Sequence, residues 1–298
     1  MEVIKIIPRG YCKGVVNALE IVKKAIKDYP DQPIHIVGLI IHNKFVKEAL
    51  QLKNVISHDD FNKSKSEIVA SIKSGVVIFS AHGIAWQVKK QAQEQGLIVL
   101  DATCQDVLNT QQLIIDYLND GYQIIYIGKK NHPEAEATLA LSNEIHFVSS
   151  LADIADLKLT NSRIMVTNQT TMSSYDVADY FQKITEKYPD VVLLQEICSA
   201  TRIRQEAVMK LDDFDLVYVV GDYLSNNSNN LKRIAEASGT KAILIESALD
   251  INLNDLRGIE KVGVTSGAST PTYITNQVIN YLNTFDKAYL KIDYNKIL

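Results

Sequence analysis

Apolar residues along the chain fall into short β-branched runs separated by stretches that recur at helical spacing. Residues 3–7, 97–100 and 191–194 are three such runs, and each ends shortly before a cysteine, at Cys12, Cys104 and Cys198. After Cys12, residues Val15, Ala18, Leu19, Val22, Ala25 and Ile26 share one face of a helix. Strand, cysteine turn and helix thus occur three times, with the cysteines 92 and then 94 residues apart. Each helix gives way to a second strand ending at a glycine, over residues 34–38, 124–128 and 216–221. A short strand follows, around Val55 and Ile56, then over residues 145–148 and 242–245. The blocks close with a strand and a polar turn at residues 76–82, 164–170 and 262–269, ending 70, 66 and 71 residues after the respective cysteines.

The same order at nearly the same spacing is the mark of internal repetition. Alternating strands and helices give an α/β fold with parallel-type sheets and helices on their faces. The pattern predicts three similar small α/β domains; if they are arranged in pseudo-threefold fashion with one edge of each turned inward, the three cysteines converge around a central cavity. The expected boundaries are 1–96 with Cys12, 97–189 with Cys104 and 190–280 with Cys198, followed by a C-terminal tail at 281–298 that packs back or covers an edge. In open α/β sheets the functional turns lie beyond the carboxyl ends of the strands, so each repeat should present its cysteine turn, glycine turn and last polar turn on one edge.

Composition narrows the function classes. Hydrophobic residues make up 46% and charged residues 22% of the 298, which is the balance of a folded globular chain. Thirty-one Lys and Arg face 35 Asp and Glu, for a formal charge of -4, and basic residues cluster no further than pairs such as Lys129-Lys130. Neither a nucleic-acid groove nor a polybasic membrane patch is expected. Apolar runs fall far short of the roughly 20 residues that cross a bilayer, and the N-terminus reads directly as a strand, so the expected location is the cytoplasm.

Three cysteines cannot all pair within the chain, and a reducing compartment disfavours any disulfide. Alone, each could be a small buried hydrophobe. Placed at the same station of three repeats and just before helices, where orphan N–H groups favour a thiolate, they suit zinc with a fourth ligand, a 4Fe-4S cluster with one iron lacking a cysteine, or a role without metal. The polar turns carry anion chemistry. His42-Asn43, Ala81-His82-Gly83, Asn131-His132-Pro133-Glu134, Asn168-Gln169-Thr170-Thr171, Ser225-Asn226-Asn227-Ser228 and Ser266-Gly267-Ala268-Ser269-Thr270-Pro271 follow strands or open helices. Such starts are candidate phosphate or carboxylate sites, although each Ser, Asn or Pro taken singly is also an ordinary helix cap. His42, His82 and His132 all follow strands, whereas His35 and His146 lie within strand patterns and His58 in a mixed polar turn. Glu134 is the nearby acid, either a first-turn carboxylate that favours the helix dipole or a proton donor whose pKa burial raises.

Several of these segments in order resemble the 4-hydroxy-3-methylbut-2-enyl diphosphate reductase family, which performs the last step of the non-mevalonate isoprenoid pathway. The resemblance runs from Pro8-Arg9-Gly10-Tyr11-Cys12-Lys13-Gly14-Val15 to Gly263-Val264-Thr265-Ser266-Gly267-Ala268-Ser269. Between them lie Ile41-His42-Asn43-Lys44, Ser80-Ala81-His82-Gly83, Asp101-Ala102-Thr103-Cys104, His132-Pro133-Glu134, Gln169-Thr170-Thr171 and Ile197-Cys198-Ser199-Ala200-Thr201. The resemblance implies an iron-sulfur oxidoreductase in which Cys12, Cys104 and Cys198 hold a 4Fe-4S cluster. It implies a diphosphate substrate held by His42, His82, His132, Ser225, Asn227 and Ser269, with Thr170 orienting the substrate hydroxyl or its bound water, Glu134 passing protons toward the leaving hydroxyl, and His132 counted with these two among the catalytic residues. A ferredoxin- or flavodoxin-like electron donor is implied as well. The chain departs from the family pattern at Gln105, where proline is usual, at Asn109 and Gln111, where lysine and histidine are usual, and at Asn226, where a second serine is usual. Those departures leave room for a diverged paralogue reducing another small anionic substrate. A non-redox protein with zinc on the three cysteines is the alternative from another class.

Overall fold

β-branched runs without polar alternation are what strands covered on both faces require, and these runs form twelve short parallel strands. The computed structural model describes residues 1–60, 62–211 and 213–298. The strands are β1 (Glu2–Lys5), β2 (Ile34–Val37), β3 (Val55–His58), β4 (Val76–Phe79), β5 (Ile98–Asp101), β6 (Gln123–Ile127), β7 (Ile145–Val148), β8 (Ile164–Asn168), β9 (Val192–Leu193), β10 (Leu216–Val220), β11 (Ala242–Ile245) and β12 (Lys261–Ser266). They make three four-stranded sheets, ordered β3-β2-β4-β5, β7-β6-β8-β9 and β11-β10-β12-β1. The order is the same three times. Within each sheet the second and last strands of a block pair in parallel at the centre, as in Ile34↔Val76, Gln123↔Ile164 and Leu216↔Val262. The chain is built of three similar α/β repeats.

The strand before each cysteine has a partner that its sequence does not announce. β5 pairs with β4 and β9 with β8, so each closes the sheet of the block before it. β1 joins β12, and the first strand of the chain completes the last sheet.

Contacts group the residues into two compact units, Met1–Leu19 with Ile41–Ser57 and Ser199–Leu298, and Glu20–Ile40 with His58–Cys198. The core of the first unit packs Val217 and Val219 of β10 against Leu231, Ile234 and Ala235 of the helix Asn226–Ala237 and Val208 of the helix Ser199–Met209. In the second unit β6 shows the period-two alternation of a strand, with Ile125 and Ile127 in one cluster and Ile124 and Tyr126 in another. Val37, Val77 and Phe79 form a third cluster with Ile68, Val69 and Ala92. The last long helix, Thr272–Thr284, ends at Phe285 in the left-handed region. Beyond it the tail returns within the first unit: the Tyr273 hydroxyl accepts the Asp293 N–H, and the Tyr11 hydroxyl donates to the Ile297 carbonyl at 2.9 Å. No helix among the described residues is long and apolar enough to cross a membrane.

Candidate active site

The three cysteine turns are built alike. Cys12 N–H donates to the Ala268 carbonyl at 3.0 Å, Cys104 N–H to Ala81 at 2.9 Å and Cys198 N–H to Thr170 at 3.0 Å. In every case the acceptor lies two residues beyond the end of the neighbouring central strand, β12, β4 or β8. In every case a helix begins at the next residue, as Lys13–Asp28, Gln105–Asn119 and Ser199–Met209. Each thiol therefore sits at the positive end of a helix. All three cysteines are half-buried and none is in a disulfide. Local bonds brace the turns: Gly10 N–H donates to Ser266 Oγ at 2.7 Å, Arg204 Nη2 to the Gly10 carbonyl at 2.7 Å, and Thr103 N–H to Asp101 Oδ1 at 3.0 Å. Gly10 has φ +80°, and a Cβ there would lie 2.2 Å from Thr272 Oγ1, so this turn demands glycine.

The second unit holds the ionisable groups. His132 caps the helix Pro133–Leu139, its Nδ1 accepting Glu134 N–H at 3.2 Å, with Pro133 in the first turn. The capping bond places the proton of the neutral ring on Nε2. The ring of His82 meets that of His132 edge-on, with centroids 5.4 Å apart. Glu134 is 2% exposed. Its Oε1 accepts Thr170 N–H at 2.7 Å and its Oε2 accepts Thr170 Oγ1 at 2.9 Å. Burial pushes its pKa up to about 7; the two Thr170 donors and the Tyr126 hydroxyl oppose the rise, and Asp106 adds to it. A carboxyl with that balance exchanges a proton near neutral pH.

The first unit holds His42 and the hydroxyl and amide groups of Ser225, Asn227 and Ser269. Ser269 Oγ donates to the His42 carbonyl at 3.0 Å, which brings those two turns together. Asn43 caps the helix Lys44–Gln51, and Lys44 N–H donates to Asp222 Oδ2 at 2.9 Å, linking the His42 turn to the turn after β10. Lys44 Nζ also pairs with Glu246. Ser225 caps the helix Asn226–Ala237 through Ser228 N–H at 3.3 Å. Both polar atoms of the Asn227 amide are buried without a hydrogen-bond partner, as is Ser228 Oγ. Buried polar groups are nearly always satisfied, so this amide has both donor and acceptor capacity left over.

Two groups of residues expected from the sequence are therefore each held together by hydrogen bonds or ring contact. Glu134, Thr170, His132 and His82 form one, with Cys198 bonded to Thr170. His42, Ser269 and the Ser225-Asn227 turn form the other, with Cys12 bonded to the residue before Ser269. Of the departures from the family pattern, Gln105 and Asn109 bond each other on an exposed helix face at 2.8 Å, while Gln111 Nε2 is buried beside Gly83. Sequence reasoning passed over Tyr126, a tyrosine within an isoleucine-rich run of β6, and named Ser228 only as one of four polar residues of a cap. His58, read as part of a polar turn, ends β3 and meets His35, with Nδ1 of His35 3.0 Å from Nε2 of His58.

Comparison with known proteins gives the same picture from end to end. Residues 3–283 match the family model described as LytB protein. The 4-hydroxy-3-methylbut-2-enyl diphosphate reductase of Geobacillus sp. (strain WCH70) is 48% identical over all of this chain and 98% of its own, and that of Bacillus subtilis (strain 168) is 46% identical over 96% and 92%. The solved structure of the E-1-hydroxy-2-methyl-but-2-enyl-4-diphosphate reductase from Plasmodium falciparum superposes with a TM-score of 0.87 at 32% identity, covering 96% of this chain and 89% of its own. With three matching cysteine turns, a buried glutamate and a family match over nearly its whole length, the chain belongs to the LytB family of 4-hydroxy-3-methylbut-2-enyl diphosphate reductases.

Proposed function

We propose that this chain reduces 4-hydroxy-3-methylbut-2-enyl diphosphate to isopentenyl and dimethylallyl diphosphate, using a 4Fe-4S cluster held by Cys12, Cys104 and Cys198. The observation that carries the reading is the threefold recurrence of one cysteine turn, with the same backbone bond and the same helix start. Three thiols with no disulfide, each at a helix N-terminus, fit the ligand chemistry of an iron-sulfur group. When bound, the cluster supplies the electrons that no side chain can give and a Lewis-acidic iron for the substrate oxygen.

Everything else falls to the chain. The overall step adds two electrons and two protons, breaks the allylic C–O bond, forms a C–H bond and releases water. Glu134, protonated below about pH 7, delivers the proton that the leaving hydroxyl needs. Thr170 orients that hydroxyl while its own N–H and O–H hold the Glu134 carboxyl in place. His132, fixed by its cap bond, relays protons and binds diphosphate together with His42, His82, Ser225, Asn227 and Ser269. The partnerless Asn227 amide supports an anion on that side. Diphosphate binding fixes the reacting end without reacting itself. Work in the cytoplasm and electrons from a ferredoxin- or flavodoxin-like protein belong to the same reading.

The test is an anaerobic preparation assayed for iron and sulfide, then for turnover with a strong artificial reductant. Four irons and four sulfides per chain, with product formed from 4-hydroxy-3-methylbut-2-enyl diphosphate, is the expected result. Stoichiometric zinc in their place, or an iron-sulfur protein inert toward this substrate, would refute it.

A further inference from the structure

The proton donor assigned to Glu134 needs more than the two Thr170 bonds, because a carboxyl that cycles between acid and anion changes from donor to acceptor. Thr170 N–H can only donate. A hydroxyl can do both, and the molecule supplies a second one. Tyr126 stands on β6, a central strand of its sheet, and is completely buried. Glu134 and Thr138, one turn apart on the helix Pro133–Leu139, lie on a common face, and both border the Tyr126 hydroxyl. That hydroxyl is sealed from water and has no hydrogen-bond partner, so it is free to take one when the neighbouring carboxyl ionises. The ring has been given room: a Cβ at Gly128 would lie 3.2 Å from Tyr126 Cε1 and 3.2 Å from the Phe147 ring. A phenylalanine would fill the same apolar space in the cluster with Ile124, Ala135 and Met165, so packing alone gives no reason for a phenol here.

We propose that Tyr126 is a positioning residue for the proton donor, its buried and unpartnered hydroxyl donating to the Glu134 carboxylate once the proton has left. The proposal rests on the reading of Glu134 as the acid. The groups facing Glu134 are Tyr126 from β6, Thr170 from the turn after β8, Asp106 from the helix Gln105–Asn119 and His132 on its own helix start. Asp106 raises its proton affinity and Tyr126 lowers it, as a donor to the charged form must. Burial and the Glu134 charge in turn hold the phenol itself far above its ordinary pKa, so Tyr126 stays a neutral donor throughout.

Single-turnover reduction of 4-hydroxy-3-methylbut-2-enyl diphosphate is measured against pH in the anaerobic holoprotein for wild type, Tyr126→Phe and Glu134→Gln at equal cluster occupancy. Removing the phenol donor leaves the acid form favoured, so the basic limb of the Tyr126→Phe profile should move up by about one pH unit. Infrared difference spectra of the Glu134 carboxyl should show the same upward shift, which loss of packing would not produce. A Tyr126→Phe profile superimposed on wild type, while Glu134→Gln is inactive, overturns the role of Tyr126 and leaves Glu134 as the acid. A Glu134→Gln enzyme as fast as wild type overturns the acid itself, and the Tyr126 proposal with it. Should Tyr126→Phe fail to fold, 3-fluorotyrosine is incorporated at position 126 instead: it keeps the shape and makes the phenol a stronger donor, so a downward shift of the limb supports the proposal and an unmoved limb overturns it.

Discussion

For Glu134, folding and the proton transfer proposed for it both favour the protonated carboxyl. Its carboxyl takes up a proton at about pH 7 in the folded chain against 4.5 for an ordinary glutamate. The native state therefore binds the proton more tightly than the unfolded chain does. The contribution is fully present below pH 4.5 and is lost as pH rises to about 7, amounting to roughly 3 kcal/mol over that window. Glu134→Gln should flatten the dependence of urea-unfolding stability on pH between 4.5 and 7, and an unchanged slope would show that burial is not what sets this group. The same substitution should slow single turnover by about 10²–10⁴ with the cluster retained, whereas a mere helix-start carboxylate would cost at most about 1 kcal/mol of stability and leave turnover intact. Glu134 was legible in the sequence as a candidate acid after His132-Pro133, because motif and helix start coincide there. Tyr126 was not, because a tyrosine in a strand run signals only core; its chemistry depends on which helix lies over it, and no local pattern carries that.

At the scale of elements, the anion turns depend on close approaches between strand ends and helix starts. Gly221 follows β10 and Gly267 follows β12, and a Cβ on either would come within 2.1 Å of Ser228 Oγ. The helix carrying Ser225 and Asn227 is thus seated directly against the ends of two adjacent strands. Gly221→Ala should force that helix start outward, costing about 1–3 kcal/mol of stability through overpacking. It should also weaken binding of inorganic diphosphate about tenfold, the loss of one good hydrogen bond. Urea unfolding and calorimetric titration read the two effects, and a variant unchanged in both would mean that the cradle is slack. The sequence revealed that glycines end these strands. It could not reveal that both are emptied for one serine, since residues 221, 228 and 267 meet only after the sheet has formed. The strands themselves were easier: Ile145–Val148 and Ala242–Ile245 appear where the β-branched runs predict them. The partners of β5 and β9 were hidden, because a strand's sequence records its burial and not its neighbour.

For the whole molecule, equivalence of the three cysteine turns is the organising fact. If the cysteines serve one cluster, Cys12→Ser, Cys104→Ser and Cys198→Ser should each lower iron content and alter the Mössbauer spectrum of what remains. Full occupancy with an unchanged iron environment in any one of them would remove that cysteine from the ligand set. The turns are alike in geometry but not in the order in which the chain completes them. Ala81 and Thr170, the carbonyls that accept from Cys104 and Cys198, precede their cysteines in the chain. Ala268, which accepts from Cys12, and β12, which pairs with β1, come near the end. During synthesis the middle blocks can therefore close their turns as they emerge, while the first cysteine waits for nearly the last strand. A nascent chain that has not yet made β12 carries at most two finished turns, so a cofactor that needs all three cysteines would meet them in their final geometry only after residues 261–268 have emerged.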